Sequence, residues 1–260
     1  MKANYHTHTY RCHHAQGTEK EYVEKAIESG LKILGFADHT PYPFPDPKDY
    51  CSGIRMGMNE LEDYVTTILS LRDEYRNDIE IHLGLEVEYF PPHFETLIKE
   101  AANYPIEYFL LAQHFLGDGH NGVPYSGTAT ENPDILKRYC SQVKEAMSTG
   151  RFTYVAHPDL IHFTGDPEIY ETEIRALCQS ARTLNLPLEI NFLGIWENRH
   201  YPREDFWKIA GEVGCDVVFG LDAHQPKAFE FEESLAKADN LVQRHNLHLL
   251  ENVTLRPCTI

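Results

Sequence analysis

Apolar runs in this chain end, repeatedly, in a histidine or an acid. The first lies in ANYHTHTY, where His6 and His8 stand one residue apart after a short apolar lead. On a β-strand, side chains i and i+2 share a face. These two imidazoles therefore project together from one strand end, as metal chelation requires. His13 and His14 follow past a turn. FADH ends at His39, GLEVE carries Glu86 and Glu88, LAQH ends at His114, YVAH ends at His157, and GLDAH carries Asp222 and His224. EIN, ending at Asn191, is a looser case. A fold that uses these residues together must bring the same end of nearly every strand to one place.

Helical periodicity separates the runs. Residues 18–29 read as a helix that Thr18 caps, with Glu21 completing a capping box and Gly30 stopping it. Further helices are expected at 59–75, 92–102, 133–148, 167–184, 203–213 and 229–245. Strands are expected at 2–5, 31–37, 79–87, 108–113, 152–156, 187–191 and 216–221, and the tail ENVTLRP adds a strand-like alternation. Seven alternations of strand and helix imply a parallel sheet with right-handed crossovers. An open doubly wound sheet usually carries a Gly-rich phosphate turn after its first strand. Here histidines replace that turn. Groups from nearly every strand end converge only if the strands close into a ring, so the expectation is an α/β barrel of seven repeats with its site at the C-terminal ends of the strands.

The 260 residues suit one such barrel, and we expect a single domain over 1–260. Two long loops, 40–57 and 115–132, interrupt the pattern. The first holds Pro41, Pro43, Pro45 and Pro47 among aromatic residues and reads as an active-site wall. Net charge is −17, from 40 acids against 23 Lys and Arg, which argues against nucleic-acid or anionic-membrane binding. No run approaches a membrane span. The chain opens on a strand pattern rather than a signal peptide, and its six cysteines form no Cys-x-x-Cys pair. A cytoplasmic protein with reduced thiols is expected. Cys12 stands between ligand candidates and reads as a small, partly buried turn residue.

The candidate metal ligands are His6, His8, His14, His39, Glu86, His114, His157, Asp222 and His224. Nine such groups at one mouth would be costly without partners. They exceed what one zinc needs and suit two or three ions with shared carboxylates.

HTH near the start, DH, GLE, an isolated strand-end His, AHPD and the closing DAH together resemble the polymerase-and-histidinol-phosphatase (PHP) family, from Tyr5 to about Pro226. CHHAQGT, HPDLI and EIN are similar to its histidinol-phosphatase branch. The resemblance implies a distorted seven-stranded barrel with three divalent metal ions, and a phosphomonoesterase acting on L-histidinol phosphate in histidine biosynthesis. It assigns His6, His8, Glu86 and Asp222 to one ion. Glu86, His114 and His157 hold a second, with Glu86 bridging, and His14, His39 and His224 hold the third. Glu88 and His13 fall outside that set.

Imidazole and carboxylate donors suit zinc, iron or manganese. Two metals about 3.5–4 Å apart activate water and clamp an in-line displacement at phosphorus. Asp222 is the candidate for orienting the attacking hydroxide or carrying a proton, His200 for the acid, and Arg199 for a phosphate clamp. The partner is a small phosphorylated substrate whose amine would meet Asp46, Asp49, Tyr42 or Phe44. One departure from the branch is His162-Phe163, where Lys or Arg often follows DLI. Two other readings remain: a related phosphoesterase acting on another ester, a phosphopeptide or a nucleic-acid end, and a non-enzymatic, metal-stabilised accessory domain.

Overall fold

Inward positions on the strands alternate between very small and very large side chains, and this sets the shape of the molecule. The computed structural model describes residues 1–50 and 52–258, so Cys51 lies outside the described residues. Eight parallel strands pair in chain order: β1 (Ala3–Asn4), β2 (Ile33–His39), β3 (Glu80–Val87), β4 (Tyr108–Leu111), β5 (Phe152–Val155), β6 (Leu188–Asn191), β7 (Asp216–Gly220) and β8 (His248–Leu249). The helices are α1 (Glu19–Glu28), α2 (Leu61–Glu74), α3 (Pro91–Ala101), α4 (Pro133–Ser148), α5 (Pro167–Thr183), α6 (Phe192–Trp196), α7 (Glu204–Val213) and α8 (Glu232–His245). Their apolar faces and the outer faces of the strands share one large core.

The expected seven-repeat barrel is present, and two details refine it. Just past β1 and β7, Thr7 pairs in parallel with Ala223. The His8 amide donates to the Ala223 carbonyl at 2.9 Å, and the Ala223 amide to the His6 carbonyl at 3.2 Å. Seven strands thus meet as a ring at the C-terminal mouth. At the other end β8 pairs with the start of β7, Asp216 opposite His248 and Val217 opposite Leu249. The expected strand in ENVTLRP is therefore displaced to the residues before it. Leu250, Val253 and Leu255 instead pack under the barrel against its inner cluster.

Local signals account for most element ends. Thr18 accepts from the Glu21 amide, and the Glu21 side chain reaches back to the cap, so the capping box forms. β2 runs past Ala37 to Asp38 and His39, because its ladder with β3 continues to Glu86. Helix α6 was not expected. Its five residues are too few for a period, and it depends on the Asn191 side chain accepting from the Gly194 amide at 3.0 Å.

Tyr5, Tyr108 and Tyr154 fill the barrel interior beside Ala3, Ala37 and Leu110. The Tyr108 hydroxyl donates to the Tyr5 carbonyl at 2.7 Å. Gly84 on β3 faces this ring, and a Cβ there would fall within the ring atoms. Gly84→Ala is expected to destabilise the fold by about 3 kcal/mol, because the surrounding core is close-packed. That corresponds to a drop of roughly 6–12 °C in Tm for a chain of this size. A melting curve superimposable on the wild type would show that the ring can move aside.

Candidate metal centre

The small inward residues lead up to the candidate ligands. On β2, Ala37 and His39 share a face, and on β3 so do Gly84 and Glu86, with Glu88 one residue past the strand end. His114 and His157 follow β4 and β5 within three residues, and Asp222 follows β7 within two. His6 and His8 leave β1 flanking the Thr7–Ala223 bridge. All nine candidate side chains meet at the mouth.

Glu86 is at the centre. One carboxylate oxygen lies 3.2 Å from His6 Nε2, 3.0 Å from His157 Nε2 and 3.7 Å from His114 Nε2. The other lies 2.8 Å from His39 Nδ1 and 3.7 Å from His8 Nε2. Asp222 Oδ1 faces His8 Nε2 at 3.1 Å, and both His6 Nε2 and His224 Nδ1 at 3.4 Å. Asn191 donates to the other Asp222 oxygen at 3.0 Å.

Buried carboxylates behind the rings orient them. His6 Nδ1 lies 2.8 Å from Glu189 Oε1, and His8 Nδ1 lies 3.3 Å from Asp38 Oδ1. Each pair turns Nε2 toward the mouth. Asp38 is held in turn by the amides of Thr9 and His39. Glu189 also accepts from the His157 amide at 3.0 Å and from Tyr154 at 3.2 Å. Gly220 makes room for it, since a Cβ there would collide with the Glu189 carboxylate.

The outer part of the cluster comes from a tight turn. A 3-10 turn over Tyr10–Cys12, capped by Thr9, ends on His13 at φ 68°. That left-handed residue sends His13 to solvent and brings His14 back over the mouth. His14 Nδ1 is held by the Cys12 carbonyl at 2.7 Å and His224 Nδ1 by the Asp222 carbonyl at 3.0 Å. Their Nε2 atoms face each other at 3.1 Å. The His39 ring centre is 5.1 Å from that of His14.

Several buried polar atoms in the cluster have no hydrogen-bond partner: His6 Nε2, His8 Nε2, Glu86 Oε2, His114 Nδ1 and His157 Nδ1. Buried polar atoms are rarely left so. The first three point at one another across the mouth, and the donor set is that of a divalent metal site. Burial opposes charge on every group here. Against it, Glu189, Asp222 and Glu86 hold His6 well above the ordinary histidine range, and the adjacent carboxylates of Asp222 and Asp38 do so for His8. The imidazoles hold Glu86 and Asp222 well below the carboxylate range. Burial prevails at His114 and His224, pushed down to about 4 and about 3.

Above the cluster opens a cleft of about 430 Å³. Arg199 lines it, its guanidinium 2.6 Å from Glu197 and donating to the Tyr201 hydroxyl at 2.8 Å. His200 is not among the lining residues. Its Nε2 lies 2.8 Å from the Leu160 carbonyl, and its ring stacks on His162 at 4.0 Å. Nor do Asp46 and Asp49 line the cleft. Asp46 caps a surface turn, while Tyr42, Phe44 and Tyr50 stack into a buried aromatic pile. Besides Asp222 in the cluster itself, the acid on the cleft wall is Glu197.

A model of the PHP domain matches residues 4–192, most of the chain. The chain belongs to the PHP domain family. It is 34% identical to a histidinol-phosphatase of Bacillus subtilis over 86% of this chain and 94% of that one. It is 31% identical to a probable histidinol-phosphatase of Deinococcus radiodurans over 85% of each. A solved histidinol phosphate phosphatase from Lactococcus lactis, complexed with zinc, L-histidinol and phosphate, superposes with a TM-score of 0.76. It shares 20% identity over 100% of this chain and 98% of that chain, a likeness in fold alone. Among the described residues no helix is long and apolar enough to cross a membrane.

Reasoning from sequence passed over several site residues. Asp38 stands beside His39 in DH, and Glu189 shares a strand face with Asn191 in EIN, so period-two reading had signal for both. Arg55, Tyr125, Glu197 and Tyr201 lie in loops, where periodicity carries no information. Arg55 pairs with Glu88 in a buried ion pair. Glu88 also accepts from the Phe115 amide at 2.7 Å, and stands 3.8 Å from His114 Nδ1.

Proposed function

We propose that this PHP chain is a metal-dependent phosphomonoesterase that hydrolyses L-histidinol phosphate to histidinol and phosphate in histidine biosynthesis. The observation that carries the metal chemistry is the set of unpartnered buried atoms around Glu86 and Asp222. The names of the Bacillus and Deinococcus relatives support the substrate.

On this reading three divalent ions, zinc, iron or manganese, are held as the family resemblance implies. His6, His8, Glu86 and Asp222 hold one. Glu86, His114 and His157 hold the second. His14, His39 and His224 hold the third. Such ions lower the pKa of water and stabilise in-line displacement at phosphorus. Asp38 and Glu189 keep the His8 and His6 rings turned for binding. Asp222 lines the cleft and is the candidate to take the proton of the attacking water. Arg199 is the candidate phosphate clamp, with its fork set by Glu197 and Tyr201. The substrate amine then meets Glu197 and the aromatic rim at Tyr125 rather than Asp46 or Asp49. Candidate ligands come from β1 through to the end of β7, so residues 1–260 act as one unit.

A panel of phosphate esters on the purified protein tests the substrate. Histidinol phosphate should exceed p-nitrophenyl phosphate in kcat/KM by about 100-fold or more, the factor that ~3 kcal/mol of charge-assisted contact yields. Arg199→Ala should lower kcat/KM for both esters by roughly 10–100-fold, since the clamp serves the phosphate they share. The second reading, a PHP phosphoesterase of different substrate, draws on His162 and Phe163. His162 stacks on His200 and Phe163 is buried, so neither position carries the Lys or Arg often found there. Equal rates on the aryl ester and histidinol phosphate would favour it.

A further inference from the structure

The turn that presents His14 also presents a sulfur. Cys12 is fully buried, two residues before His14. Its thiol faces the His8 and His14 imidazoles. The Sγ atom, one His14 nitrogen and one His224 nitrogen all lie within 4.8 Å of one another. That spacing is compatible with donors around one tetrahedral ion, at bond lengths of about 2.3 Å to sulfur and 2.0–2.1 Å to nitrogen.

The two histidines add an independent sign that a cation belongs there. Backbone carbonyls hold Nδ1 of each ring, at Cys12 for His14 and at Asp222 for His224. A carbonyl can only accept, so each Nδ1 carries a proton, and in the neutral rings each Nε2 presents a lone pair. Those lone pairs meet at 3.1 Å. Two such nitrogens so close need a proton or a metal cation between them, and a bound metal would draw on both lone pairs. His8 Nε2, buried and without a hydrogen-bond partner, faces the same region, within 4.8 Å of donors on His39 and His224.

Cys12 also neighbours His8 and Asp38, but that trio is already occupied by hydrogen bonds. Asp38 takes the His8 ring, the amides of Thr9 and His39, and the Thr9 hydroxyl. The sulfur is left to the outer histidines.

We propose that Cys12 binds as a thiolate to the third metal, completing a sulfur-and-three-nitrogen set with His14, His39 and His224. The inference rests on the metal-dependent reading above. Thiolate is a soft donor, so this site selects zinc over manganese or magnesium, while the donors around Glu86 and Asp222 contain no sulfur. A fourth protein donor also makes it a closed site, which holds charge and shape at the rim.

Full-length metal-free protein titrated with cobalt(II) tests this. The wild type should develop a near-ultraviolet thiolate-to-cobalt charge-transfer band as the third equivalent binds. In Cys12→Ser the band should vanish, with that equivalent held at least ~10-fold more weakly. X-ray absorption on the wild-type zinc form should find one sulfur among the zinc ligands at about 2.3 Å, a measurement that needs no variant. Three bound equivalents with neither band nor sulfur scatterer would overturn the proposal, as would a band that persists in Cys12→Ser. In either case a chelator-sensitive phosphatase activity would leave the proposed function standing. Hydrolysis by metal-free protein would instead bring down the metal-dependent reading itself.

Discussion

Glu86→Ala is expected to lower kcat/KM by more than ~10³-fold, beyond the loss from one preorganised electrostatic contact, because one carboxylate serves several donors. Its two oxygens reach nitrogens of His6, His157, His114, His39 and His8 between 2.8 and 3.7 Å. Without it the five rings lose the anion that gathers them, and bound metal should fall with activity. Glu88→Ala is the comparison, since Glu88 stands two residues after Glu86, just past the end of β3. Its carboxylate is engaged by Arg55 and the Phe115 amide, and among the described residues it reaches the cluster through His114 Nδ1. That loss should be about 10–100-fold, the usual cost of removing a group that orients a ligand. It should also lower the melting temperature, because the buried Arg55–Glu88 ion pair loses its acid. Elemental analysis beside kinetics separates the two. Equal activity losses with equal metal contents would remove Glu86 from the bridging position.

Stripping metal is expected to abolish hydrolysis, and acid should strip the ion at His6 and His8 at unusually mild pH. A divalent metal needs neutral imidazole, so binding to a protonated histidine releases a proton. In the metal-free protein, burial opposes charge at His6, His8 and His157. Even so, neighbouring carboxylates hold all three above the ordinary histidine range. The sign follows directly. Below these raised pKa values the rings carry protons that metal must displace, so affinity rises with pH and flattens only once pH exceeds them. The ion held by His6 and His8 should therefore be lost on acidification from a higher pH than unperturbed histidines, near pH 6.5, would require, while His39, His114 and His224, held below that range, compete less with protons. The metal-free protein should also melt lower, since any ligand binding only the folded state stabilises it by mass action. Dialysis against chelator at stepped pH, with metal content, activity and Tm followed together, checks all three. Activity unchanged after complete metal removal would refute the metal-dependent mechanism.

The local part of this fold was readable because its causes are local. Thr18, Glu21 and Gly30 bound α1 through contacts within a turn of helix. Period-two runs marked the strands, and their terminal His, Glu and Asp marked the side chains that meet at the mouth. Reading failed where the cause lay far along the chain. β2 outran its expected end because Glu86, forty-seven residues after His39, extends the ladder. His200 looked like a loop acid, yet the Leu160 carbonyl and the His162 ring hold it away from the cleft. Asp46 and Asp49 looked like amine partners until the stacking of Tyr42, Phe44 and Tyr50 turned that wall into core.

Alone, the sequence determined an α/β barrel of seven repeats and the residues gathered at one end of it. Side-chain alternation and helical period are properties of the chain that survive any arrangement of neighbours. Only the tertiary structure decided which carboxylate stands behind which ring, with Asp38 on His8 and Glu189 on His6, and which loop faces the cleft. It also decided that Cys12 points inward while His13 points out. Those outcomes depend on strand register and ring closure, through contacts such as Thr7 with Ala223, where residues more than two hundred positions apart become neighbours.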